Sequence, residues 1–105
     1  MIQPELLDVV ELLADHPGVQ LQAGDQGTIV EEYDDCAYEV EFSNSQGETI
    51  ALLALKPEQF VVVWQNATKA WIPLTDRIAA VLQELPQDRQ QQVLNFARSL
   101  HKTPA

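Results

Sequence analysis

Between Leu21 and Val63 the chain alternates short apolar segments with tight turns and leaves no room for a crossover helix. In Tyr38-Glu39-Val40-Glu41-Phe42 the apolar and acidic residues alternate, the period of two expected when one strand face is buried and the other wet. Gly24-Asp25-Gln26-Gly27 precedes Thr28-Ile29-Val30, and two glycines three apart allow positive φ or close backbone approach before a strand resumes. Asp34-Asp35 is the turn into Tyr38–Phe42, and Asn44-Ser45-Gln46-Gly47 a second turn with Gly placed to accept the left-handed conformation. Thr49 to Leu55 then reads as a third strand and Phe60 to Val63 as a fourth. Lys56-Pro57-Glu58-Gln59 between them reads as one 3₁₀ turn, because Pro57 has no N–H for a ladder. Short strands joined this closely predict a small antiparallel barrel, curled shut so that no edge is exposed.

Both flanks read as helical. Leu6, Val9 or Val10, and Leu13 recur at helical spacing after Pro4, with Glu5 and Asp8 suited to a first turn, and His16-Pro17-Gly18 stops the segment. After Trp64 the polar stretch Gln65–Ala70 marks a boundary, dividing the chain into 1–64 and 65–105. From Pro73 the period becomes helical again. Thr75 or Asp76 is placed to cap, and Ile78, Val81, Leu82 and Leu85 form one stripe. Leu85-Pro86-Gln87-Asp88 ends that helix and begins another, with Val93, Phe96, Ala97 and Leu100 on its apolar face and Gln90-Gln91-Gln92 as solvated surface. The result is an αα-hairpin too short to be stable alone, which needs its own barrel, a second copy or another protein to lie on.

Charge divides along the same boundary. Residues 1–64 hold 13 acids against Lys56 alone, whereas residues 65–105 hold three acids against five bases, within a net charge of -10. An acidic body repels phosphate and anionic membrane and attracts cations at long range, or simply stays soluble. Direct nucleic-acid binding by the first part is therefore disfavoured. The single cysteine, Cys36, excludes an internal disulfide and fits a reducing compartment. No basic leader opens the sequence, and no apolar run reaches the roughly 20 residues a bilayer needs, so the expectation is a soluble cytoplasmic protein without a membrane partner.

No catalytic constellation stands out. Gly24-x-x-Gly27 lacks the lysine of a phosphate loop and leads into a strand, which makes it a tight turn. Glu31, Glu32, Asp34 and Asp35 beside Cys36 have neither calcium-loop order nor zinc spacing and read as a solvated hairpin tip, where neighbouring carboxylates disfavour a thiolate. His16 and His101 belong to no triad. The expectation is no enzyme, no cofactor and no metal. Interaction residues are the acidic strand positions Glu31, Glu32, Glu39 and Glu41, the boundary aromatics Trp64 and Trp71, and the helical apolar residues Val93, Phe96 and Leu100. The tryptophans either anchor an interface or seal the helices onto the barrel.

The segments Leu6-Leu7-Asp8-Val9-Val10-Glu11-Leu12, Gly24–Val30, Tyr38–Phe42 and Ala51-Leu52-Leu53-Ala54-Leu55 resemble a bacterial family of small proteins with a domain of unknown function, family 4926. That resemblance, over roughly residues 4–64, implies an SH3-like barrel and brings no catalytic residues. Leu85–Ala97 is similar to the Leu-Pro-x-x-x-Gln-x-x-Val-Leu-x-Phe segment of small bacterial antitoxin-like proteins, which implies toxin binding or dimerisation. The expected fold is thus mainly β with a helical appendage: a small SH3-like antiparallel barrel preceded by a short helix and followed by an αα-hairpin. The expected function is a protein-interaction module, an antitoxin or immunity-type partner of a basic protein. The alternatives are a nucleic-acid-binding barrel that uses the basic excess at Arg77, Arg89, Arg98 and Lys102, and a homodimer joined through the hairpin.

Overall fold

The computed structural model describes residues 2–102. Six antiparallel strands form one sheet: β1 (Val9–Leu12), β2 (Gln26–Glu32), β3 (Tyr38–Ser43), β4 (Thr49–Leu55), β5 (Phe60–Gln65) and β6 (Ala70–Trp71). Their order across the sheet is β4-β3-β2-β1-β5-β6. Two helices follow, α1 (Leu74–Gln83) and α2 (Gln87–Lys102).

The segment expected as an N-terminal helix is instead a turn at Leu6-Leu7 followed by β1. Val10 and Leu12 are buried while Val9 and Glu11 are half-exposed, an alternation of two that the helical spacing of Leu6, Val9 and Leu13 had masked. β1 pairs with both β2 and β5, so the sheet supplies ladders on both sides that a helix there would forfeit. Leu7 sits at φ 70, and Asp8, which had looked like a first-turn acid, is 1% exposed. Its carboxylate accepts the Glu5 N–H at 3.0 Å and the Asn66 N–H at 2.8 Å, joining the entry to β1 to the β5–β6 turn.

The closed barrel expected from the strand pattern does not form. β4 pairs only with β3, and after β5 the chain doubles back as β6 and does not present β5 to β4, so both edges stay open. The sheet nonetheless curls. Tyr38 of β3 and Phe60 of β5, separated in the sheet by β2 and β1, meet edge to face with ring centroids 5.7 Å apart. Val10, Leu12, Ile29, Val40, Phe42, Leu55 and Val62 fill the space between, and neither helix contributes a buried residue. Three bulges assist the curl, leaving Val63, Val30 and Ile50 as extra residues in β5, β2 and β4.

Gly24 and Gly27 serve the two purposes their spacing allowed. Gly24 lies at φ 94, whereas Gly27 lies where a Cβ would stand 2.7 Å from Val40 Cγ1 and 2.9 Å from the Glu41 carbonyl oxygen. The 3₁₀ turn occurs at Pro57–Gln59 as the missing proline N–H requires. The boundary expected after Trp64 falls inside the β5–β6 hairpin, whose continuation places Ile72 in the core. Pro73, not Thr75 or Asp76, stands at the N-cap of α1.

Candidate functional site

The candidate interaction residues fall in three places. On β2 and β3 the bulge at Val30 shifts the register so that Glu31 lies opposite Glu39, while Glu41 lies opposite Thr28 on one side and Leu52 on the other. Like charges directly opposed destabilise a sheet, and here hydroxyl donors offset part of that repulsion. Tyr33 Oη donates to Glu39 Oε2 and Thr49 Oγ1 to Glu41 Oε2, each at 2.9 Å. The bond to Glu39, ahead of desolvation and the nearby charges of Glu39 and Glu31, raises the Tyr33 pKa above the ordinary 10.0. Glu32 leaves this row: it pairs with Tyr38, whose phenol is raised first by burial and then by the charge of Glu32.

Trp64 and Trp71 are direct cross-strand partners in the β5–β6 hairpin. Trp64 is half-buried, with Lys69 Nζ 5.6 Å from its ring centroid, and Trp71 is 60% exposed. In the sheet order β1 lies between this hairpin and the acidic row on β2 and β3, so the tryptophans stand one strand away from that row.

Val93, Phe96 and Leu100 lie on α2 at intervals of three and four, one stripe of the helix. Val93 is half-buried beside Leu85 and Arg89, whereas Phe96 is 65% and Leu100 63% exposed. Gln90, expected as solvated surface, ties the two helices together: its Nε2 donates to the carbonyls of Leu82 at 2.7 Å and Leu85 at 3.2 Å, satisfying groups left free where α1 ends. Beyond this junction α2 makes few contacts with the sheet or with α1, and the molecule extends 43 Å along its long axis against 27 and 26 Å.

Sequence reasoning missed a cleft of about 550 Å³ between α1 and β5. Phe60, Val62 and Ile72 form its floor, Ala79 and Ala80 its helical wall, and Glu58, Asp76 and Glu84 its acidic rim. Asp76, Ala79, Ala80, Gln83 and Glu84 recur at helical spacing, which was the available signal; the larger residues Ile78, Val81, Leu82 and Leu85 had drawn the stripe to another face. Arg77 Nη2 meets Glu11 Oε2 at 3.1 Å and fastens α1 to β1.

Among the described residues no group of three or more His, Cys, Asp or Glu converges as a metal ion requires, and no helix is long and apolar enough to cross a membrane. Residues 6–62 match the family described as Domain of unknown function (DUF4926), in line with the resemblance carried by Leu6–Leu12, Gly24–Val30, Tyr38–Phe42 and Ala51–Leu55. No curated protein and no solved structure matches the chain.

Proposed function

We propose that this chain, which belongs to the DUF4926 family by a match over more than half of its length, is a non-enzymatic protein-interaction module that presents α2 to a protein partner. The observation that carries this reading is the exposure of Phe96 and Leu100 on a 16-residue helix that is joined to the rest of the chain mainly at its first turns, through Gln90 and Val93 beside the end of α1. An isolated helix of this length is marginal in water, so an apolar stripe held in the open gains most of its stabilisation by docking. The acidic outer row of β2 and β3 gives the module a second property, long-range attraction for a basic partner of the kind an antitoxin or immunity protein covers. The exposed, unpaired Cys36 suits the reducing cytoplasm.

The test is a double substitution, Phe96→Asp with Leu100→Asp, in the full chain. Both side chains are exposed, so the melting temperature should stay within about 4 °C of the parent, corresponding to about 0.5 kcal/mol. Capture of partner protein from the native cell extract should be lost. A substituted chain that melts early, or that captures the same proteins as the parent, overturns the reading.

A further inference from the structure

We propose that the free edge of β4 is a second, independent interface, at which two copies of this chain pair antiparallel about Leu52 and join their sheets into one. The two edges of the sheet are guarded differently. β6 is two residues long and offers little to pair with, whereas β4 is seven residues, Thr49-Ile50-Ala51-Leu52-Leu53-Ala54-Leu55, with no charge and no proline. Edge strands in monomers are usually blunted by a lysine, a proline or brevity; apart from the bulge at Ile50, β4 has none of these. Leu52 is 55% exposed and Ile50 is exposed beside it.

The sequence around β4 fits a copy of itself. Pairing all seven residues with all seven of a second strand places the two-fold axis at Leu52, the midpoint. Leu52 then faces Leu52 of the second copy, Ile50 faces Ala54, and Ala51 faces Leu53. One residue beyond each end, Glu48 faces Lys56. Lys56 is the one base among residues 1–64, and this register sets it against an acid at both ends of the ladder. The seam also avoids the repulsion that two copies of net charge -10 would meet elsewhere. Glu41 on β3 would lie three strand spacings from its counterpart, about 14 Å, beyond the screening length of about 8 Å at physiological salt.

Light scattering on the full chain at 0.1 mM should give twice the 11.8 kDa of one copy. Leu52→Lys, which opposes two lysines on the axis, should give a single-copy mass while keeping the circular dichroism of the folded sheet, with a melting temperature that no longer rises with protein concentration. Glu48→Lys alone and Lys56→Glu alone should each weaken the dimer, and the double reversal Glu48→Lys with Lys56→Glu should restore it. In a Cys36→Ser background, Leu52→Cys treated with diamide should cross-link, because directly opposed residues place their Cα atoms about 4.5–5.5 Å apart. Thr49→Cys, far from the axis, should not. A single-copy mass for the unaltered chain overturns the proposal. So does a dimer that survives Leu52→Lys but is split by Phe96→Asp with Leu100→Asp, which would move self-association to α2 and leave the helix reading intact.

Discussion

Asp8 and Gly27 show how single residues hold this sheet in register. The Asp8 carboxylate is the one acid among the buried residues described, and it is satisfied by backbone donors on two separate segments, Glu5 and Asn66. Asp8→Ala leaves two backbone N–H groups without their acceptor, a loss of about 2 kcal/mol or more, so thermal melting should fall by roughly 10 °C or more. Asp8→Asn keeps one acceptor oxygen and should fall between, and equal melting of all three chains would remove the clasp from the account. Gly27 acts through space, with no backbone bond of its own at issue. The Cβ of Gly27→Ala would press on Val40, the Glu41 carbonyl and Phe42, two of which are core side chains and one a fixed ladder group. The expected cost is about 1–3 kcal/mol by overpacking, read as a lower denaturant midpoint at unchanged slope. Gly24→Ala would test the other role, since φ 94 there is strained for any side chain although the space is open.

At the level of elements, β1 and α2 are the two whose state depends on what surrounds them. Leu6, Val9 and Leu13 satisfy a helical template, yet Val9 and Val10 are β-branched and the chain has ladders waiting on β2 and β5. Local periodicity was ambiguous over so short a run, and tertiary pairing decided it. By contrast β2 to β5 and the Pro57 turn were legible, because alternation, β-branching and turn chemistry all agreed. The helices were legible as helices from their 3.6-residue stripes, but not their mutual placement, which rests on Gln90 reaching back to Leu82 and Leu85. Gln90→Ala should therefore lower the helical signal at 222 nm and loosen the angle between α1 and α2. The cost should be about 0.5–1.5 kcal/mol, local to the helices, with the melting of the sheet unchanged. A sheet that melts with the helices would show that α2 is coupled to it after all.

For the whole molecule, the radius of gyration of 15.2 Å exceeds the about 13 Å expected for a compact chain of this length, in keeping with extents of 43 × 27 × 26 Å and with an α2 about 24 Å long that buries no residue. X-ray scattering from Leu52→Lys, the variant designed to stay single, should therefore give an elongated particle; a value near 13 Å would mean that the helix folds back onto the body. The sequence by itself determined the antiparallel strands with their inside and outside, the turns, the two helices and the charge division, because each depends on neighbours within a few residues. The tertiary structure alone decided that β1 is a strand, that Asp8 is buried, that the sheet curls without closing, and that α2 stands clear with β4 bare at the edge. Those outcomes depend on which distant segments meet: Asn66 on Asp8, β5 on β1, and β6 rather than β4 beside β5. A one-dimensional pattern states which face of an element is apolar but not what will cover it.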